Sequence, residues 1–432
     1  MTLFISMFVI DIEKALIFLL IIRSSIDFFH TKPLFRYGDS DINLAGVLSI
    51  AVIGLGLAYL IKKRIRLFRI PLVCPFVIFF VLCLISLVFA PDKILGIQDI
   101  FRLFSIFIIF ILVYDLIKTK RQILHITRFL LLALPIPLAM GFYQIWTKED
   151  WMDPIGIYDE FGRIMGSFVH PNVFAGFLMI FLSIVVFQLL ICRSRAMKIV
   201  WGGLILLMIF SLFHTYARGA WIGTLAMFLV LGILKYRKLL IIIPLIVLVT
   251  FLFIPDVSER FLEIPKMVKN FDVKSKIFRP TVERASFQWR LWMWYRSFEK
   301  ALAHKNVFLH GYGIGNYTIF SEDFSRNPKT DRGLEAHNDY LRLLIEIGVI
   351  GLLIYVWILF RIWRLCLILY GRIDDMQLKS FMVIFLSLFV AFLVVSLSSN
   401  LVVTPVFQWY FWCLVSLICS IQMKREVCMS EV

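Results

Sequence analysis

Charged residues are scarce in this chain of 432 residues: they make up 17% of it, whereas 61% of the residues are hydrophobic. A soluble globular protein carries about 25% charged residues and roughly 45–50% apolar ones. The shortage of charge therefore predicts an integral membrane protein. Length alone would suggest two or three soluble domains. Apolar segments recur from end to end, however, so we expect one polytopic membrane domain, residues 1–432, with one inserted outer loop, residues 256–337.

Cysteine is also scarce, and none of the seven cysteines lies in a predicted outer loop. We therefore expect no disulfide, and no Cys/His spacing suggests a zinc site. The first residues lack the basic region and the small-residue cleavage site of a signal peptide, so we expect no cleaved leader. Four cysteines fall in apolar segments and three at or beyond predicted cytoplasmic ends: Cys74, Cys83, Cys413 and Cys419, then Cys192, Cys366 and Cys428.

Acidic residues are outnumbered, with 29 Asp and Glu against 45 Lys and Arg, which gives a formal net charge of +16. Such an excess can indicate nucleic-acid binding. Here the basic residues form short clusters between apolar segments, as they do in loops that face the cytoplasm. The charge pattern therefore indicates membrane topology, and we expect no nucleic-acid partner.

Twelve segments come close to the roughly 20 apolar residues that a helix needs to cross a bilayer. The first contains Asp11 and Lys14, which are three residues apart and can pair on one helix face. With the N-terminus inside, every even-to-odd connection is basic, as the positive-inside bias requires. Both termini are therefore predicted to be cytoplasmic. The predicted spans are residues 3–22, 42–61, 70–90, 96–117, 123–145, 172–191, 198–214, 218–234, 238–255, 338–360, 380–399 and 403–422.

The large outer loop, residues 256–337, is rich in Lys and Arg. Long loops escape the positive-inside rule, so this charge does not contradict the topology. Excess positive charge on an outer face suggests an anionic ligand. Between Thr281 and His304 the aromatic residues recur at helical spacing, which predicts an amphipathic helix at the membrane interface.

His337 directly precedes a long apolar segment at the end of this loop. An unperturbed imidazole titrates near pH 6.5, which suits a general base at neutral pH. At 100° per residue, Gly348 and Gly351 would share the helical face of His337 and let another helix or a lipid chain approach beneath it. The alternative is an interfacial histidine that caps a helix.

Three arginines are candidates for anion binding. Arg218 lies in a short outer connection, where an arginine is costly unless it meets an anion; its alternative role is to snorkel to lipid phosphate. Arg290 lies on the predicted aromatic helix and could instead make a cation–π contact. Guanidinium groups bind phosphate in bidentate fashion, so these two together could hold a pyrophosphate. Arg163 is a third phosphate or sugar candidate, while its neighbours His170 and Asn172 are interpreted as helix-entry residues.

The glycines at positions 311, 313 and 315 resemble a dinucleotide fingerprint only superficially, because no strand and crossover surround them. Flexible turns or an anion-binding backbone nest remain open. Glu346 lies about 180° around the helix from His337, and we expect it to pair with another helix. No paired carboxylates have convincing metal spacing on the outer side, so we predict a metal-independent protein.

Together these motifs resemble the O-antigen ligase and polymerase superfamily of bacterial glycan assembly. The likeness covers roughly residues 160–355, and each motif is weak alone; their order around one outer loop makes the combination specific. The motifs are Arg163 to Asn172, Tyr216-Ala-Arg-Gly-Ala-Trp221, Arg290 with Trp294, Gly311-Tyr-Gly-Ile-Gly-Asn316, His337-Asn-Asp-Tyr-Leu341, Glu346-Ile-Gly348 and Gly351-Leu352.

The resemblance implies an all-α membrane protein like the C-type glycosyltransferases, with an inverting reaction and an undecaprenyl-pyrophosphate-linked glycan as donor. It implies His337 as base and Arg218 and Arg290 as pyrophosphate ligands, with Arg163 and Asn338 as further substrate contacts. It implies no cofactor, and a site on the periplasmic side of the bacterial inner membrane. The family commonly has a serine before the first arginine, whereas this chain has Ala217.

Three acceptors are compatible with this resemblance: lipid A-core in a ligase, a second lipid-linked glycan in a polymerase, and a protein hydroxyl in an oligosaccharyltransferase. A different class also stays open, namely a transporter or flippase of the same lipid-linked glycans. Against it, the sequence shows no pair of broken helices in two matching halves, and its outer loop is unusually large.

Overall fold

A computed structural model of the chain is almost entirely helical over the residues it describes. A single antiparallel hairpin of two short strands is also present there, with β1 (Pro33–Tyr37) paired to β2 (Ser40–Asn43). The described residues are 11–29, 33–37, 40–147, 162–242, 244–245, 271–275, 286–324 and 335–430.

In the described residues before the large loop we number nine helices, and the predicted segments match them to within a few residues at most ends. The fifth predicted span is formed by α5 and α6 with a short 3-10 turn between them. In chain order the nine are α1 (Ile12–Ile26), α2 (Leu44–Lys63), α3 (Val73–Phe89), α4 (Lys93–Leu116), α5 (Lys120–Phe129), α6 (Pro135–Thr147), α7 (Pro171–Ile191), α8 (Arg195–His214) and α9 (Arg218–Leu234).

Within the described residues six more helices follow, and the first of them lies where the sequence predicts an amphipathic helix in the loop; its place at the membrane interface stays a prediction. Between residues 324 and 339 the described chain contains only the four residues that lead into α13. The six are α10 (Ser286–Ala303), α11 (Lys305–His310), α12 (Tyr317–Phe320), α13 (Asp339–Arg372), α14 (Met376–Ser396) and α15 (Pro405–Ser430).

Seven described helices are long and apolar enough to cross a membrane, and three shorter ones are also apolar. With α1, these ten account for eleven of the twelve predicted spans. The ninth predicted span, 238–255, lies largely outside the described residues, so the count of twelve stays a prediction. The helices nevertheless identify a multi-pass membrane protein, since no soluble fold needs so many long apolar helices.

Small and polar side chains join the helices inside the bundle. Trp409 of α15 donates from Nε1 to the Ser105 hydroxyl of α4 at 3.0 Å, and Ser416 donates to the Phe110 carbonyl at 2.7 Å. On the other side of the bundle, Gly223 lets α9 lie directly against α14. Close packing at small residues and hydrogen bonds between helices are what hold helices together in a bilayer.

The long helix α13 is broken at Gly348, where φ is 72° and ψ is 179°. The backbone of residues 309–313 fills the break: Tyr312 N–H donates to the Ile345 carbonyl at 2.7 Å, and Gly313 N–H donates to the Glu346 carbonyl at 3.1 Å. A Cβ on Gly348 would overlap the Leu309 carbonyl. The expected approach of another helix is present at Gly348, since Leu309 belongs to α11. The break itself was not predicted, and it interrupts the helical face that was expected to run from His337 to Gly351.

Candidate active site

His337 lies just before α13, in a left-handed backbone conformation with φ 46°. Asn338 is the N-cap of the helix, and its side-chain oxygen accepts from Leu341 N–H at 3.1 Å. On the other side, Trp294 of α10 donates from Nε1 to the carbonyl of Ala336 at 2.7 Å. A non-glycine residue in this conformation costs about 1–2 kcal/mol. The two flanking hydrogen bonds fix the backbone that presents the imidazole.

Asp339 and Arg342 anchor the start of α13. Asp339 accepts backbone hydrogen bonds from the connection between α14 and α15, at 3.2 and 3.0 Å. The Arg342 guanidinium contacts three carboxylates, at 3.0 Å to Asp99 of α4, 2.7 Å to Glu335 and 3.0 Å to Glu346. This hub ties α4 and the end of the large loop to α13. These buried ion pairs fix the start of α13 and thereby the position of His337.

Glu346 has two structural partners. It contacts Arg342 on its own helix, as the i and i+4 spacing allows. It also accepts from the backbone N–H of Tyr317 in α12 at 3.2 Å. The expected structural role and the expected contact with another helix are therefore both present, and Glu346 joins the break in α13 to the loop that packs there.

The glycine motif serves close packing of backbone against backbone. Gly311, Gly313 and Gly315 all have positive φ. A Cβ on them would overlap backbone of α13, of the turn after α3 and of the start of α4, respectively. The N–H groups of Tyr312 and Gly313 already donate to α13. The structure therefore favours tight turns over an anion-binding nest, since a nest needs free N–H groups.

The charges of Arg163 and Arg290, from separate segments, act on His337, and the charge of Arg218 acts in turn on Arg290. Arg163 donates from Nε to the Thr215 carbonyl at 2.8 Å and from Nη2 to the Asn172 side chain at 3.0 Å. Arg290 donates from Nη1 to the Ser398 carbonyl at 3.2 Å. The segment that carries Ser398 also borders the start of α9, because a Cβ on Gly219, next to Arg218, would overlap the Ser398 hydroxyl.

The charges of the Arg218 and Arg163 guanidinium groups act on Arg290. Its pKa is lowered to about 10, first by burial and then by the positive charges of Arg218 and Arg163. Like charges that lower the pKa of Arg290 favour the binding of an anion beside it. The site is therefore electrostatically suited to a multiply charged anion.

His337 is a neutral imidazole in this environment. Burial is the largest cause that lowers its pKa, to about 3, and the charges of Arg290, His170 and Arg163 lower it further. Within the described part of the chain no hydrogen bond is made by its ring. The imidazole lies beside the arginines and is free to accept a proton at neutral pH.

His170 is a second imidazole at the site, with its ring centroid 6.4 Å from that of His337. It is the N-cap of α7, and its Nδ1 accepts from Asn172 N–H at 3.0 Å. Its pKa is lowered to about 4, first by burial and then by Arg163 and Arg290. A neutral ring that accepts at Nδ1 carries its hydrogen on Nε2. His170 is therefore a hydrogen-bond donor.

The structure thus brings together Arg163, Arg218, Arg290 and His337, four of the five site residues that the sequence analysis selects. The fifth, Asn338, is adjacent, but its side-chain oxygen is occupied as the cap of α13. His170 was interpreted as a helix-entry residue only; it does cap α7, and it also lies beside the base. Its position in the Arg163 to Asn172 motif was the one available signal.

Metal binding is not supported by a cluster of ligands in the residues that the structure describes. No group of three or more His, Cys, Asp or Glu side chains lies together there in a way that could hold a metal ion. Metal independence stays a prediction for the chain as a whole. The site's charge is positive, which by itself favours an anion over a cation.

Comparison with known families gives one match. Residues 203–356 match the family model described as O-Antigen ligase, Wzy_C. The match includes Arg218, Arg290 and His337, while Arg163 and His170 precede it. It confirms the resemblance to the O-antigen ligase and polymerase superfamily, and the family implies a transferase role in surface polysaccharide assembly. A search of curated proteins finds no match.

Proposed function

We propose that this multi-pass membrane protein is an inverting glycosyltransferase that moves a glycan from undecaprenyl pyrophosphate to an acceptor hydroxyl. The observation that carries the proposal is the cluster of Arg163, Arg218 and Arg290 beside the neutral imidazole of His337. A pyrophosphate fits such a cluster because guanidinium groups bind its oxygens in bidentate fashion. An activated donor of this kind requires neither a nucleotide nor a metal.

The three arginines stabilise the leaving group. As the bond between the anomeric carbon and the pyrophosphate oxygen breaks, the electron pair of that bond goes to the oxygen. The guanidinium groups are already positioned to meet the developing negative charge, so little reorganisation is needed during the reaction. Since they come from the segment before α7, from α9 and from α10, a correctly folded outer face is required to bring them together.

His337 acts on the acceptor. Its neutral ring takes the proton of the acceptor hydroxyl while the oxygen forms a bond to the anomeric carbon on the face opposite the pyrophosphate. The products are the inverted glycoside, undecaprenyl pyrophosphate and a protonated imidazole, which releases its proton to water. General-base catalysis of this kind contributes typically 10²–10⁴-fold.

The donor itself makes His337 a stronger base. In the free site two of the causes that lower its pKa are the charges of Arg290 and Arg163. A pyrophosphate between the arginines offsets those charges, and its own negative charge favours the protonated imidazole. The pKa of His337 therefore rises when the donor binds, which couples proton abstraction to occupancy by the correct substrate.

His170 donates from Nε2 to a substrate oxygen. Its other ring nitrogen is fixed by the Asn172 N–H, so the neutral ring presents a donor and cannot compete with His337 for the acceptor proton. Its depressed pKa keeps it neutral beside the arginines. We assign it to positioning of the donor or acceptor rather than to proton transfer.

The decisive experiment is the mass of the product. Purified protein is mixed with a synthetic undecaprenyl-pyrophosphate oligosaccharide in EDTA without nucleotide, with and without lipid A-core. A longer lipid-linked glycan identifies a polymerase, and glycan on lipid A-core alone identifies a ligase. Absence of transfer in both mixtures contradicts both activities and turns attention to a protein acceptor or to transport.

Transport of the same lipid-linked glycans is the competing class. Transporters use broken helices whose freed backbone groups coordinate the substrate, and α13 is broken at Gly348. Here, however, the backbone of residues 309–313 takes up the carbonyls at the break. This contact favours a static structural role for the break, and thus transfer over transport.

A further inference from the structure

A separate cavity of about 310 Å³ lies between the start of α3, the end of α4 and the second half of α13. Its apolar wall includes Ile70, Pro71 and Pro75 before and within the first turn of α3. Tyr114 of α4 and Trp357 of α13 add aromatic surface, and Arg69 and Arg361 add two positive charges.

This cavity is at the end of the helix bundle away from the candidate active site. The last turn of α3 contacts the site side, where Ser86 accepts from the Ile314 N–H at 2.8 Å, whereas the cavity adjoins its first turn. Likewise, Trp357 follows Asp339, at the active-site end of α13, by 18 residues, which is roughly 27 Å of helix. The two sites therefore cannot share one small ligand.

Arg69 and Arg361 are both exposed and both face the cavity. Within the part of the chain that the structure describes, neither is in an ion pair. Asp115, next to the cavity residue Tyr114, is already bound by Lys63 and Lys118. The cavity thus presents positive charge that its own surroundings do not neutralise, and an anion is the complementary ligand.

Apolar surface continues from the cavity along the two helices that form it. Here α3 and α13 pack together, with the rings of Phe79 and Tyr355 6.1 Å apart. On the outward faces of the two helices, Leu353 and Phe360 of α13 are 61% and 57% exposed, and Val81 of α3 is 48% exposed. In a multi-pass membrane protein such a surface meets acyl chains.

We propose that this cavity binds the phosphate of an anionic phospholipid, with Arg69 and Arg361 on the phosphate and the acyl chains along α3 and α13. The shared chemistry is a phosphate anion. A free phosphate would satisfy the arginines equally, but the apolar wall and the exposed helix surface favour a lipid. Basic cavities between membrane helices are known recognition sites for anionic headgroups.

The test compares binding of three probes to detergent-purified, delipidated protein by native mass spectrometry: phosphatidylglycerol, zwitterionic phosphatidylcholine and inorganic phosphate. The variant carries Arg69→Gln and Arg361→Gln. The control carries Arg364→Gln and Arg372→Gln, which removes the same charge from exposed positions outside the cavity. All four side chains are exposed, so folding is expected to survive, and gel filtration checks it.

We expect phosphatidylglycerol to bind the wild type and the control alike, and the cavity variant about 30-fold more weakly, which corresponds to about 2 kcal/mol for two cations. Equal affinity of all three proteins overturns the site, as does an equal loss in the control. Phosphatidylcholine binding as tightly as phosphatidylglycerol overturns the need for net negative charge. Inorganic phosphate with the same affinity and arginine dependence overturns the lipid in favour of a free anion.

Discussion

The left-handed backbone conformation of His337 limits which substitutions can test its role as a general base. With φ 46°, this position is strained for alanine, so loss of activity in His337→Ala could reflect a displaced loop. Asparagine tolerates the left-handed region best among the non-glycine residues. We expect His337→Asn to keep its melting temperature while transfer falls by about 10²–10⁴-fold, since the base is lost. Near-normal turnover in a sugar-transfer assay would remove His337 as base.

His170 offers a substitution that separates its two roles. Asparagine is among the best N-cap residues, so His170→Asn can still accept the Asn172 N–H and keep the start of α7 intact. The asparagine side chain has no donor at the position that Nε2 of His170 occupies. We expect an unchanged melting temperature and a loss of transfer rate of about tenfold or more, as for one hydrogen bond to a charged group.

The control for this experiment is His170→Ala, which removes the cap and the donor together. It is expected to lower the melting temperature as well as the rate. If His170→Asn transfers glycan at the wild-type rate with the wild-type KM, His170 is a capping residue only, and the proposed donor role is wrong.

The charges around His337 predict an unusual pH dependence. Activity requires the neutral imidazole, so it falls as the pH falls through its pKa. In the free protein that pKa is about 3, whereas the donor raises it by offsetting Arg290 and Arg163. Because kcat/KM reports the free enzyme and kcat the complex, we expect the acidic limb of kcat at higher pH than that of kcat/KM. If the acidic limbs of kcat and kcat/KM fall at the same pH, the donor does not change the pKa of the base, and the proposed coupling between them is wrong.

Among the secondary-structure elements, the break in α13 is the feature with the clearest mutational test. Gly348→Ala places a Cβ against the Leu309 carbonyl in a backbone conformation that alanine avoids. Several kcal/mol of destabilisation are expected, together with loss of transfer, because residues 309–313 are displaced. Gly371→Ala, near the far end of the same helix with open space around it, is the matched control. An unaltered melting temperature in Gly348→Ala would show that the break is not required.

The sequence predicts some elements well and others not at all, for physical reasons. The apolar length of a membrane helix is a local property, so segments such as 172–191 and 218–234 match α7 and α9 closely. The break at Gly348 depends on a distant backbone that supplies hydrogen bonds to the freed carbonyls. Nothing local distinguishes that glycine from one that only lets two helices pack, so the break was not predicted.

At the scale of the whole molecule, the site could be predicted in outline because its residues are unusual where they stand. An arginine at the end of an apolar helix, such as Arg218, is costly unless it meets an anion. The combined motifs indicated that this anion is a pyrophosphate. The Arg342 hub could not be predicted, since Asp99 lies 243 residues away in sequence. Only the tertiary fold, in which α3 packs on both α4 and α13, brings the two side chains close. The proposed role of His170 as a hydrogen-bond donor was missed, because its position before α7 was already explained by a capping role.

The arginine cluster also has a consequence for turnover. In the donor the pyrophosphate is esterified at both ends, and transfer frees one end, so the spent carrier bears more negative charge than the donor did. The three guanidinium groups should therefore hold the product more tightly than the substrate. Under the proposed function we therefore expect departure of undecaprenyl pyrophosphate, rather than sugar transfer, to be the slow step of each cycle. A rapid-mixing measurement would then show an initial burst of one glycoside per enzyme.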